Sequence, residues 1–161
     1  MTEADGELDA LLFVARQAFD GDPRHSLVAN LNSVTEAEWR VPAPGGARTI
    51  ADIALHVASA WLAYAAALKG APGDAAWAEV GRHSSDSLDQ LRTWQFDAQA
   101  RWLAAVTAAA GAGERQPTPW DGALPLREIV ARLVAHDFYH AGEINHLRGL
   151  LQGKDRWAWE A

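Results

Sequence analysis

Apolar residues recur every three or four positions along most of this chain, whereas the period-two alternation and β-branched runs of half-buried strands are almost absent. Ala, Leu, Glu, Gln and Arg, all good helix formers, dominate four such stretches. The pattern predicts an all-α protein. The first stretch, about Gly6 to Asp20, sets Leu8, Leu11, Leu12, Ala15 and Phe19 on one face and then meets Gly21-Asp22-Pro23, which breaks or kinks a helix. A continuation carrying Leu27, Val28 and Leu31 leads to Thr35-Glu36-Ala37-Glu38, a capping-box pattern that opens a short helical turn before the loop Pro42-Ala43-Pro44-Gly45-Gly46.

The second long helix is expected to start near Thr49, whose hydroxyl can cap the turn containing Asp52, and to end at Gly70 after Lys69. Its core stripe is Ile50, Ile53, Val57, Trp61, Tyr64 and Leu68. A connection of about a dozen residues follows, with Gly73, Trp77, Gly81 and His83, long enough to cross between non-adjacent helix ends and to frame a pocket mouth. The third helix opens with the box Ser87-Leu88-Asp89-Gln90, buries Leu88, Leu91, Ala98, Trp102 and Val106, and ends at Gly111. Pro117, Pro119 and the turn pair Asp121-Gly122 separate it from a fourth helix running from about Leu126 to Gln152, stopped by Gly153. A four-helix bundle with a long crossover between its second and third helices is the economical arrangement.

At 161 residues the chain is expected to form a single domain over 1–161, a size that buries roughly 70% of the surface exposed by the unfolded chain. Lys and Arg number 14 against 21 Asp and Glu, a formal charge of −7 with no basic tract, which disfavours nucleic acid as a partner. Cysteine is absent, so disulfides, zinc-thiolate sites and a thiol nucleophile of the chain's own are excluded. The acidic segment Met1 to Leu12 lacks the features of a signal peptide, and no 18-residue apolar stretch is recognised elsewhere. The expectation is a cytoplasmic protein without a membrane partner.

The chemistry concentrates in the fourth helix. At about 100° per residue, Ile129, Leu133, His136, His140, Ile144, Leu147 and Leu151 share a stripe about 80° wide, so two imidazoles occupy positions that the pattern reserves for leucine. Buried without partners, each would cost on the order of 1–3 kcal/mol. One turn apart on one side of a helix, they suit a shared cation; zinc, nickel, iron and manganese all accept imidazole nitrogen. Two histidines need a third ligand, and His56 is the best candidate, on the flank of the second helix's stripe beside Ala60, Ala63 and Ala67. His25, His83 and His146 are weaker by position. The alternative for each histidine is a hydrogen-bonded, half-buried residue, and for the His136/His140 pair a polar pair bridged by water or carboxylates.

Glu143 lies about 20° from His136 on the same helix, where it can ligate, orient a ligand, or act as an acid or base; its plain alternative is an ion-paired edge residue. Glu143 and His146 also form a Glu-x-x-His, but no second copy occurs, and the second and third helices offer no inward glutamate, so a dinuclear carboxylate site is rejected. Ser26 and Ser59 adjoin histidines without a nucleophile elbow and are packing or capping residues, and no phosphate-binding glycine loop is present. Of the eight tryptophans, Trp61 and Trp102 fit core stripes. Trp39, Trp77, Trp94, Trp120, Trp157 and Trp159 can line a pocket or subunit interface, or pack over the bundle ends.

Two segments carry a resemblance: Arg48-Thr49-Ile50-Ala51-Asp52-Ile53-Ala54-Leu55-His56-Val57 and His136-Asp137-Phe138-Tyr139-His140-Ala141-Gly142-Glu143-Ile144. With a helix-two histidine followed far downstream by His-x-x-x-His, the chain resembles the DinB-like (YfiT-like) superfamily of metal-binding four-helix bundles over nearly its whole length. In such proteins Gln is common at the position of Glu143, so its carboxylate is a departure. The resemblance implies a mononuclear divalent-metal site of His56, His136 and His140 with open coordination positions. It further implies activation of a low-molecular-weight thiol such as bacillithiol, mycothiol or glutathione, in an S-transferase or isomerase acting on a small electrophilic substrate. The alternatives are a metal-dependent hydrolase using metal-bound water and a non-catalytic metal- or ligand-binding bundle. A homodimer is expected from the resemblance and the tryptophan content.

Overall fold

The first long helix, α1 (Glu3–Arg16), loosens into a π-helical turn over Gln17–Gly21 before Asp22 turns extended, in a computed structural model that describes residues 3–111, 113, 115–120, 122–154 and 160. Asp22 ends this segment by accepting from the backbone N–H groups of Arg24 and His25 at 2.7 and 2.8 Å, the local side-chain turn that competes with helix. The chain restarts at α2 (Leu27–Asn32), capped by the Ser26 hydroxyl, with Leu27, Val28 and Leu31 buried. Thr35 to Glu38 forms one hydrogen-bonded turn, the Thr35 N–H donating to Glu38 Oε2 at 2.9 Å.

The Thr49/Asp52 box is formed in full and opens α3 (Ile50–Leu68), which buries Ile50, Ile53, Val57, Trp61 and Tyr64. This helix corrects the sequence-level expectation about membrane-length segments: it is long and apolar enough to cross a bilayer. Most of it is instead buried in the bundle. Alanines between the large residues let it pack closely against α5 (Leu88–Ala109).

The connection between these two helices is longer than about a dozen residues and is not plain loop: Asp74–Arg82 form a further helix, α4. Gly81 within it argues against a helix by propensity, while Gly73 serves as its N-cap; Ala76 is buried and Val80, one turn on, packs against the core, so tertiary contact supports the helix. The Ser87/Gln90 box starts α5, whose predicted core residues Leu88, Leu91, Ala98, Trp102 and Val106 are all buried. Between α5 and the last helix, β1 (Gln116–Pro117) pairs antiparallel with β2 (Ala123–Leu124), a two-residue ladder that the sequence pattern did not announce. Asp121 of the expected turn pair lies outside the described residues, as do Trp157 and Trp159.

The last helix, α6 (Leu126–Gln152), has the predicted limits, and Gly153 closes it in the left-handed conformation at φ 61°. The four long helices α1, α3, α5 and α6 form the expected all-α bundle. α3 packs on both α5 and α6, and α6 also contacts α1 and α2. Trp39, Trp61 and Trp102 are fully buried and Trp94 nearly so, whereas Trp77 and Trp120 remain exposed.

Candidate metal centre

Because α3 packs directly on α6, a side chain on the second turn of α3 meets residues near the middle of α6. His56 thereby faces His136 and His140: ring centroids lie 5.0 Å from His56 to His136, 4.9 Å from His56 to His140, and 4.4 Å between the two α6 residues. One ring nitrogen from each falls within 4.8 Å of the others. The triad is graded in depth, with His140 buried, His136 half-buried and His56 exposed. His25, His83 and His146 do not join it. His83 instead contacts Asp86 at 2.6 Å and stacks on Trp94, and His25 lies 3.3 Å from Asp22.

The donor set fits a divalent cation. Nε2 of His56 and Nε2 of His136 lie 3.1 Å apart, close to the roughly 3.3 Å edge of a tetrahedron with zinc–nitrogen bonds of about 2.0–2.1 Å. Without a cation, one of these nitrogens must carry a proton and donate to the other. If His136 is the donor, its Nδ1 becomes a bare acceptor, and that buried atom has no hydrogen-bond partner. With both Nε2 atoms committed to a cation, His136 Nδ1 carries the proton and faces the Asp137 carboxylate, 3.7 Å away. That separation is a charge contact, not a hydrogen bond.

Carboxylates stand behind two of the three rings. His140 Nδ1 lies 2.8 Å from Glu143 Oε2, and Arg48, just ahead of the α3 cap, donates from Nη1 to Glu143 Oε1 at 3.2 Å. Glu143 is thus ion-paired with Arg48 and also stands where it can orient His140, with His140 Nε2 on the side of the centre. Asp137 has no exposed surface and accepts from Trp61 Nε1 at 3.1 and 3.2 Å. Burial raises its pKa to about 6, against the hydrogen bonds and the His136 charge that favour ionisation. Desolvation holds His56 below the ordinary imidazole value, followed by the neighbouring His136 and Arg48. For His140 desolvation also comes first and outweighs the opposing bond to Glu143. Both shifts favour the neutral imidazole that a metal requires.

The centre opens on two sides. A cavity of about 150 Å³ is lined by His56, His136, Tyr64, Trp77, Trp120 and Arg132, and a second of about 190 Å³ by Arg48, Ile53 and His56. Ser59 also lines the first, but its hydroxyl donates to the His56 carbonyl at 2.6 Å, a helix back-bond that leaves it without a base.

The family model of the DinB superfamily matches residues 22–144, a span that holds all three histidines, Asp137 and Glu143. The chain belongs to the DinB superfamily. No curated protein matches the chain. Within this DinB bundle the three histidines can hold a metal ion, and among the described residues no other group of three His, Asp or Glu side chains is gathered in this way.

Sequence reasoning missed several members of the site. Asp137 was legible in principle, because Val130, Val134, Ala141 and Ile144 place it in a second apolar stripe of α6, where an acid needs a partner. Tyr64 counted only as core, Arg48 stood only within a resemblance segment with no role given to it, and Arg132 carried no signal beyond its charge. Their roles depend on which helix faces which.

Proposed function

We propose that this chain is a metal-dependent enzyme in which His56, His136 and His140 hold one divalent cation and a low-molecular-weight thiol is the nucleophile toward a small electrophilic substrate. One observation carries the reading: three imidazole nitrogens converge from the protein side, and the cluster adjoins a cavity instead of closing on a fourth protein ligand. Structural sites are usually closed by four protein ligands, whereas three leave room for a substrate. A bound divalent cation supplies Lewis acidity that lowers the pKa of an adjacent thiol and raises its thiolate fraction.

The chain's own residues prepare that site. Glu143 and Arg48 fix the His140 ring, Asp137 stands ready for the His136 Nδ1 proton, and desolvation lowers the pKa of His56 and His140. The chain has no cysteine, so the sulfur comes from outside. Such thiols are kept reduced in the cytoplasm, the proposed setting.

Elemental analysis of the purified protein tests the centre: about one divalent metal per chain is expected, with a large loss in His56→Ala and in His136→Ala. Full retention by both variants overturns the assignment. Turnover of electrophiles with and without mycothiol, bacillithiol or glutathione tests the chemistry. Activity on a hydrolysable substrate without any thiol would make the protein a hydrolase instead.

A further inference from the structure

Among the described residues, two of the exposed large apolar side chains stand at one opening. Trp77, on the unforeseen helix α4, is 47% exposed, and Trp120, in the turn between β1 and β2, is 60% exposed; both line the cavity beside the triad. They reach it from separate connections, so local sequence does not account for their meeting. Behind them Tyr64 is buried and packs edge-to-face on Trp120, with centroids 5.4 Å apart at 76°. Indoles left in water beside a concave site, where burial would be favourable, mark a surface that a ligand covers.

Size and charge narrow the ligand. The cavity measures about 150 Å³, and a dry protein cavity of about that volume accepts benzene. One six-membered ring fits within it. Arg132, from α6, is the charged residue of the lining, and no carboxylate lines the cavity. Arg132 donates from Nε at 3.1 Å and from Nη2 at 2.6 Å to one oxygen of Glu128, one turn earlier, in a pair whose side chains are 59% and 42% exposed. Exposed pairs at this spacing hold weakly, while a guanidinium offers five donors in a fork that matches a carboxylate. The Glu128 bonds use Nε and Nη2 and do not use Nη1, so Arg132 can meet a ligand's carboxylate through Nη1 while the exposed pair yields or stays.

We infer that the cavity beside the triad takes a small aromatic acid, its single ring against Tyr64, Trp77 and Trp120 and its carboxylate on Arg132. The inference rests on the proposed metal site, because it places the substrate next to His56 and His136.

Isothermal titration of benzoate, benzyl alcohol and cyclohexanecarboxylate tests it on metal-free and zinc-loaded protein, in the parent, Trp120→Ala, Arg132→Gln and the surface control Arg127→Gln. Benzoate should bind the parent in both metal states, at least tenfold more tightly than benzyl alcohol or cyclohexanecarboxylate. Trp120→Ala and Arg132→Gln should each lose tenfold or more, with thermal melts like the parent's, and Arg127→Gln should change nothing. Equal binding of benzoate and benzyl alcohol, or no effect of Arg132→Gln, overturns the inference. So does benzoate binding confined to the zinc-loaded form and indifferent to Arg132, since the carboxylate then sits on the cation. Metal content measured on the same samples separates these failures from failure of the metal site.

Discussion

Trp61 on α3 donates its indole N–H to both oxygens of Asp137 on α6, at 3.1 and 3.2 Å, and so ties together the two helices that bring the histidines into contact. The pairing puts an ionisable group where no water reaches it. In the metal-free protein, ionising Asp137 therefore works against folding. Its folded pKa of about 6 lies above the ordinary value of 3.8, so the folded state holds the proton more tightly. Stability from this group is complete below pH 4 and is lost as pH rises toward 6, by on the order of 3 kcal/mol. Asp137→Asn should remove that loss. Urea denaturation in chelator at pH 4, 5, 6 and 7 should show the variant gaining on the parent across this range; a constant difference would refute the account.

A cation at the triad changes the sign of the Asp137 effect, because a positive centre favours its carboxylate and His136 Nδ1 then has a proton to share. Asp137→Asn is expected to weaken zinc binding by about 10- to 100-fold while leaving the metal-free protein folded. Competition with a chromophoric chelator measures it. Unchanged affinity would mean that Asp137 supports the bundle and not the centre.

Glu143 separates orientation from proton transfer. Gln can still accept from His140 Nδ1–H, so Glu143→Gln should leave zinc affinity within about threefold, whereas Glu143→Ala should lower it by about tenfold or more. If Glu143 moves a proton in the reaction, Glu143→Gln abolishes turnover at full metal content. Paired zinc titrations and rate measurements on the two variants distinguish these outcomes.

Desolvation lowers the pKa of both His56 and His140. In the metal-free protein their ring resonances, followed by proton NMR, should therefore titrate below the ordinary midpoint of about 6.5. A midpoint at or above 6.5 for both rings would contradict the packed triad.

The capping box at the head of α3 fixes where that helix begins and hence the height of His56. Thr49 accepts from Asp52 N at 3.1 Å while Asp52 accepts from Thr49 N at 2.8 Å. Thr49→Ala should cost about 1 kcal/mol in chemical denaturation. A loss well under half that value would assign the start of α3 to packing alone.

Helix starts and stops were legible because they are set within a few residues of chain. Thr49/Asp52, Ser87/Gln90 and Gly153 act through neighbouring backbone groups, and each appears where the local pattern put it. Helix α4 was not, because Gly81 within it argues against a helix and the packing of Ala76 and Val80 against the bundle tips the balance. The His136/His140 pair stood out for a similar local reason, since polar rings on an apolar stripe violate the pattern that surrounds them.

His56 lies 80 positions of sequence from His136, the nearer of that pair, and periodicity could place it only on the flank of a helix. Its meeting with His136, the Trp61–Asp137 bond and the gathering of Trp77, Trp120 and Arg132 around one cavity follow from which helix faces lie against each other. The order of residues along the chain therefore dictated the four long helices and the two odd imidazoles, through backbone geometry and capping that act over a few residues. The convergence of donors, their backing carboxylates and the shape of the adjoining cavity were decided by packing, because only apolar burial between distant segments brings those groups within bonding distance.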